Sequence, residues 1–351
     1  MFKNQKYSSS CVETADFDQD GDTDLFVGTR LRPFLYGVPV SGFIYQNDGK
    51  GNFQDVTRAL APELLQLGLI TSAKWIDTDG DSDLDLVVTG EWMAIEVFNN
   101  ENGKFVRNSN SGLNQSRGWW NVIEYADLDN DGDQDLILGN HGTNSIFSAS
   151  KDAPLAMYVN DFDQNGSAEQ IYAKYQNGKF MPFVLKHDLV AQMPVLKKKY
   201  LKFRNYIGQG IEDIFTQNQL ENSIVLTANE LRSSIAWNRG NGTYDIKALP
   251  VKAQFSPIYA ILVKDFNKDG NLDILLGGNF HRSKPEAGKY DANYGQLYLG
   301  TGDQQFEALE SSESGIFVKG EIRDLKEIPT SNGQYVLGAR NNDELAIFKI
   351  R

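Results

Sequence analysis

The chain is poor in the residues that most catalytic and membrane proteins lean on. Among its 351 residues there is one cysteine, Cys11, so no intrachain disulfide can form and no Cys/His zinc spacing exists. Cys11 reads as a small apolar residue on an inner strand. No stretch approaches the roughly 18 apolar residues of a membrane-crossing helix. The opening MFKNQKYSS lacks the apolar core of a secretory leader, which leaves a cytosolic protein or a trimmed extracellular domain. Positive charge is scarce: 34 Lys and Arg stand against 47 Asp and Glu, a formal net charge of −13. Binding to nucleic acid through phosphate neutralisation is therefore not expected. The one basic run, Lys197 to Lys199, reads as a solvated helix face. There is no glycine-rich phosphate loop, no Ser-His-Asp order, and no clear carboxylate pair outside the loops described next.

What the chain has is aspartate at fixed spacing. DFDQDGDTD, residues 16–24, places Asp16, Asp18, Asp20 and Asp24 at positions 1, 3, 5 and 9, with Gly21 at position 6. Like charges this close repel one another, and carboxylates at 1, 3 and 5 of a tight turn can converge on one cation. Ca²⁺ takes six to eight oxygens and suits this supply. A helical EF-hand would need glutamate at position 12, where Val27 stands, and the apolar run Leu25–Gly28 reads as a strand. The register recurs at Asp77, Asp79, Asp81, Asp85 and at Asp127, Asp129, Asp131, Asp135. Weaker copies are Asp161, Asp163, Asn165, Glu169 and Asp265, Asn267, Asp269, Asp273. In the second copy Ser82 replaces the glycine at position 6, with Gly80 two residues earlier. Up to five calcium sites are expected. These loops hold 21 of the 47 acidic residues, so the acidity is mostly local to them. Multi-carboxylate loops of this kind suit calcium at the millimolar levels outside cells, which favours a trimmed extracellular or cell-surface domain.

The loops begin at 16, 77, 127, 161 and 265, and the long last step implies a repeat with a lost loop. Strand–turn–strand segments recur at 42–57, 94–107, 233–250 and 295–309, each with an Asn/Gly turn of the hairpin type. Each unit reads as strand, acidic loop, strand, longer loop, strand, turn, strand, which is the order of a β-propeller blade. The expected fold is all-β, one domain of seven blades at roughly 8–60, 70–108, 118–150, 155–186, 205–250, 256–310 and 315–351. Residues 2–7 are expected to close the last blade, and 186–222 to form a small helical insertion.

DFDQDGDTDLFVG followed by YQNDGKGNF resembles the FG-GAP/VCBS repeat of integrin α-chain propellers and of many large bacterial surface proteins. The resemblance extends over nearly the whole chain. It implies calcium in the loops between first and second strands, with the aspartates above and their counterparts as ligands. It adds a backbone carbonyl from position 7, at Asp22, Asp83, Asp133, Ser167 and Asn271. Asp213 and Asp324 stand at expected loop starts without partners, so no calcium is expected there. The family includes adhesins, lectins and some polysaccharide lyases, and so does not fix an activity.

If the acidic loops occupy one face of the ring, the loops after the second strands occupy the other. Arg30, Glu91, Trp92, Asn140, His141, Asn279 and Arg340 fall there by alignment on the strand-ending glycines, with Arg32 and His281 in longer loops and Trp119 and Trp120 at a first-strand start. Aromatic, Arg, Asn and His side chains are what a glycan or protein ligand needs. The plain alternative is that the Trp residues plug the channel and the Asn residues tie turns. The expected function is a calcium-stabilised, monomeric extracellular binding or adhesion module with its ligand on this face. The alternative is a polysaccharide lyase with His141, His281 or Tyr290 as base and Arg30 or Arg340 neutralising a uronate.

Overall fold

In the computed structural model the described residues are 7–330 and 333–349. They are mostly strand, gathered into antiparallel sheets. The first sheet holds β1 (Ser8–Ala15), β2 (Asp24–Leu31), β3 (Phe43–Asn47) and β4 (Phe53–Asp55) in that order. The second holds β5 (Leu69–Ile76), β6 (Asp85–Met93), β7 (Glu96–Glu101) and β8 (Lys104–Arg107), and the short β9 (Gly118–Trp119) pairs with the end of β6. The third begins with β10 (Val122–Ala126) and β11 (Asp135–Gly139). The chain then leaves to build a separate sheet from β12 (Leu155–Asn160), β13 (Glu169–Gln176), β14 (Lys179–Pro182) and β15 (Ile224–Ala228). It returns with β16 (Ser234–Asn238) and β17 (Tyr244–Ala248), and β16 pairs with β11. A fourth sheet follows, β18 (Ile258–Lys264), β19 (Asp273–Gly278), β20 (Gln296–Gly300) and β21 (Phe306–Ala308). The last has three strands, β22 (Ile322–Thr330), β23 (Gly333–Arg340) and β24 (Ala346–Phe348).

The packing is that of propeller blades. Phe26 and Ile44 of the first sheet meet Ile70, Ala73 and Leu86 of the second. Val87 and Val97 meet Trp120, Ile123, Leu136 and Leu138 of the third. Ile137 and Trp237 meet Ile258, Ile261 and Ile274 of the fourth. Leu275 and Leu297 meet Ile322, Leu325 and Val336 of the last. The second strands β6, β11 and β19 therefore each feed two cores, one from each face. Leu136 and Leu138 point one way and Ile137 the other, which is why these strands read as unbroken apolar runs. First strands lie side by side across the sheets. Lys74 of β5 is held between Glu13 of β1 at 3.5 Å and Glu124 of β10 at 3.1 Å.

The blade boundaries differ from the expectation in the middle of the chain. Residues 118–150 and 205–250 do not form two blades: strands from both complete the third sheet. The segment 233–250 is its outer hairpin and needs no lost loop of its own. The sheet expected at 155–186 exists, but its order is β14-β13-β12-β15. Its first strand is internal because β15 pairs on the far side of β12. Among the described residues there are thus five successive sheets and one inserted sheet, where seven blades were expected. Local pattern could not reveal this, since a hairpin looks the same whether its inner neighbour is near in sequence or a hundred residues away. The expected helical insertion is present as short helices and turns between Lys186 and Glu221. Tyr200, Met193, Leu189 and Ile211 from it cover one face of the inserted sheet. Lys197 closes a single 3-10 turn and Lys199 donates to the carbonyls of Asp213 and Ile214, so the basic run does not lie on a regular helix face. The proposed closure of the last blade by residues 2–7 lies almost wholly outside the described residues.

Candidate metal loops and the opposite face

The five acidic loops share one backbone path. The first aspartate accepts two backbone N–H groups. Asp16 takes those of Asp20 and Gly21 at 3.1 and 3.0 Å, Asp127 and Asp161 repeat the pattern, and Asp265 does so while also accepting the N–H of Lys268. Asp77 takes Gly80 and Ser82 instead. The fifth residue accepts the N–H of the seventh, as Asp20 does from Asp22 and Asp131 from Asp133; Asp81–Asp83, Asn165–Ser167 and Asp269–Asn271 do the same. Two positions take the left-handed conformation, the fourth (Gln19, φ 60°) and the sixth (Gly21, φ 94°). In the second loop these are Gly80 at 81° and Ser82 at 73°, so its glycine has moved from one left-handed position to the other.

The ninth residue does more than close a shell. Asp24, Asp85, Asp135, Glu169 and Asp273 are all buried. Each accepts the N–H of the loop's second residue: Phe17, Thr78, Leu128, Phe162 or Phe266. In four loops the other oxygen accepts an N–H from the third strand: Asn47, Asn100, Asn238 or Gly300. Burial pushes Asp24 and Asp85 up to about 6 and Asp135 to about 7, a desolvation penalty that a cation beside them would offset.

The third residue is where a cation fits. Asp18, Asp79, Asp129 and Asp163 each leave a buried Oδ1 without a hydrogen-bond partner. In three of them the other oxygen is held by a side-chain amide: Gln46 on Asp18 at 2.5 Å, Asn99 on Asp79 at 2.6 Å, Gln304 on Asp129 at 2.7 Å. Ligand atoms of Asp16, Asp18 and Asp24, of Asp77, Asp79 and Asp85, of Asp127, Asp129 and Asp131, and of Asp161, Asp163 and Glu169 lie within 4.8 Å of one another. Four loops therefore fit a hard divalent cation, on an all-oxygen donor set with an oxygen already stripped of partners. The fifth is different. Asn267 donates to Asp269 Oδ2 at 2.9 Å and accepts its N–H at 3.1 Å, so the amide turns inward and satisfies the loop by itself.

The opposite face is built around paired and aromatic groups. Arg30 forks onto Glu91 at 3.0 and 2.6 Å, Tyr36 donates to Glu91 at 2.9 Å, and Trp92 Nε1 donates to Tyr36 at 3.2 Å. Burial, with the Glu91 charge, holds the Tyr36 phenol well above its ordinary pKa. Trp92, Trp119, His141 and Tyr290 follow one another edge to face, with centroids 5.0, 5.0 and 4.9 Å apart. So far the alignment brings together what it placed together. Yet Trp92 and Trp119 carry Leu155, Met157, Val159 and Ala228 of the inserted sheet. The chain's own insertion occupies the aromatic platform expected for a ligand. Trp120, Asn140 and Asn279 are fully buried. Trp120 belongs to the core between second and third sheets, and its Nε1 donates to the carbonyl of Ser116. Asn140 and Asn279 tie loop backbones. A ligand cannot reach these three. His281 bonds Asp291 at 2.8 Å, and Arg340 bonds the carbonyls of Lys319 and Glu344. Burial pushes His141 down to about 4, and its Nε2 is enclosed without a partner. Arg32 is exposed beside a second cavity of about 390 Å³.

The open space on this face lies at the edge of the insertion, in a cleft of about 550 Å³ lined by Thr143, Phe147, Lys151, Asn229, Glu230 and Arg232, among others. Glu230 receives Arg232 in a two-bond fork at 2.8 and 2.6 Å, and Asn229 offers a buried Oδ1 with no partner. None of the cleft residues was anticipated. They converge because the chain re-enters the third sheet at 229–233, a connection without a sequence signal.

Fold and loops together define a class: an all-β, propeller-like repeat protein with acidic loops suited to cations. A family model described as an FG-GAP-like repeat matches residues 16–88 and 77–138. No curated protein matches the chain. Among solved structures, the V. cholerae biofilm matrix protein Bap1 aligns at 8% identity and TM-score 0.32, over 95% of this chain and 66% of its own. The exotype rhamnogalacturonan lyase YesX aligns at 12% and 0.37, over 96% and 54%. An ancestral GH74 enzyme aligns at 10% and 0.24, over 97% and 62%. The chain thus spans less than two thirds of each of these structures. At such identities and scores the likenesses assign neither ligand nor reaction. No helix among the described residues is long and apolar enough to cross a membrane.

Proposed function

We propose that this chain is a calcium-stabilised extracellular binding module, monomeric as a domain, that takes a glycan or protein ligand on the face opposite its acidic loops. Four of the loops hold structural calcium in this reading, through Asp16, Asp77, Asp127, Asp161 and their partners. The observation that carries the binding role is the 550 Å³ cleft with the exposed Arg232 guanidinium fixed at its edge by Glu230. An exposed guanidinium held in place by a carboxylate at a cleft's edge keeps N–H groups free for sugar hydroxyls or a peptide backbone. The lyase alternative is weaker: of its three candidate bases, His141 is walled in by Trp119, Phe147 and Tyr290, the Tyr290 hydroxyl is buried, and His281 is held by Asp291.

The test is a binding titration in millimolar calcium against a panel of neutral and acidic oligosaccharides, with ultraviolet absorbance followed in parallel. Binding to a panel member, weakened at least tenfold in Arg232→Ala and Asn229→Ala with an unchanged melting temperature, supports the cleft. A hit insensitive to both changes overturns the placement. Growth of an absorbing unsaturated product makes the protein a lyase.

A further inference from the structure

Three third-position aspartates carry a side-chain amide, and one of the three amides comes from another sheet. Gln46 and Asn99 sit on third strands of the same sheet as the loop they serve. Gln304 does not. It lies in the outer turn of the fourth sheet, yet its Nε2 donates to Asp129 in the third sheet's loop at 2.7 Å. Its Oε1 is fixed by Lys247 of β17 at 2.9 Å. With the amide oxygen committed to a cation, the nitrogen must face Asp129, so the orientation is not free. Gln304 also holds a left-handed φ of 60° at the turn tip, where glycine or asparagine is easier. Asp129 Oδ1 is left buried and unpartnered, on the carboxylate whose Oδ2 Gln304 restrains. The series Lys247, Gln304, Asp129 therefore crosses from third sheet to fourth and back.

We infer that Gln304 is a positioning residue for calcium in the third loop, and that through it the ion fastens the fourth sheet to the third. This rests on the calcium reading above. Outer partners that orient a ligating group are worth about 10–100-fold in metal affinity. A purely structural turn contact would leave that affinity alone.

Calcium titration by calorimetry, on the full chain stripped with a chelator, tests it. The wild type takes up four equivalents. In Gln304→Ala one equivalent weakens by roughly 10–100-fold and the other three do not. Calcium slows amide exchange in residues 300–306 of the wild type, and this slowing is lost in the variant. In chelator the two proteins melt together. If Gln304→Ala fails to fold, Lys247→Met serves, with a smaller weakening of the same equivalent. Unchanged affinities in the variant, or an equal loss of melting temperature with and without calcium, overturn the inference and leave the calcium reading intact. No uptake by the wild type overturns the calcium reading itself.

Discussion

Single residues show where the repeats have drifted and what the drift costs. Ser82 takes φ 73° where the other loops have glycine, and an L-residue there is strained by about 1–2 kcal/mol. Part of that is offset by serine's smaller loss of chain entropy on folding. Ser82→Gly is expected to stabilise the protein by about 0.5–1 kcal/mol, read as a higher urea midpoint at unchanged slope. His141 makes the opposite kind of prediction. Its native pKa, about 4, lies below the ordinary 6.5 because burial disfavours the charged ring. Between these values the unfolded chain binds a proton that the native one refuses, so stability is full above pH 6.5 and falls as pH drops toward 4. The loss is about 1–3 kcal/mol for a ring whose nitrogen is enclosed. His141→Gln should flatten that part of the stability–pH curve, and an unchanged slope would locate the proton elsewhere.

Strands and loops are the scale at which the sequence was most legible. Aspartate spacing announces a loop because the same residues that would bind a cation also cap the turn. Apolar runs announce second strands because both their faces are buried. The amides Gln46, Asn99 and Gln304 were invisible, since nothing in their own neighbourhoods marks them as partners of Asp18, Asp79 and Asp129. So was the double use of the ninth residue as a tie to the third strand. First strands carry a further tie of this sort. Lys74 stands between two carboxylates from neighbouring sheets, all three side chains partly buried. Lys74→Met leaves Glu13 and Glu124 without their shared cation and is expected to cost about 1–2 kcal/mol at neutral pH, discounted for partial exposure. Adding Glu13→Gln and Glu124→Gln should recover most of it, measured by thermal melts of the single and triple variants.

Across the whole molecule, the decisive departure from expectation was a matter of connectivity. Five sheets pack in succession, and the sixth is inserted between the second and third strands of the third sheet. The alignment on strand-ending glycines groups Trp92, Trp119 and His141, which do lie together, but gives no sign of the inserted sheet that covers the first two. An aromatic cluster at Trp92 and Trp119 looks the same from sequence whether its partner is a ligand or Met157 of the same chain. The cleft lies at the margin of that cover, built from segments that no repeat predicts.

The third sheet has a consequence in time as well as in space. Leu136 pairs with Ala236, a hundred residues downstream. During synthesis β10 and β11 emerge as a lone hairpin with one long edge unpaired. Two strands alone are marginal in water, and the edge stays open until the whole insertion has been made. Closing so long a loop costs entropy and slows assembly. If residues 155–228 fold first as their own unit, they shorten that loop and deliver β16 to the waiting edge. The insertion then acts as a timer on the ring: the nascent chain passes through an interval in which its centre is the least finished part, and in which an exposed strand edge is open to capture by chaperones or by another unfinished copy.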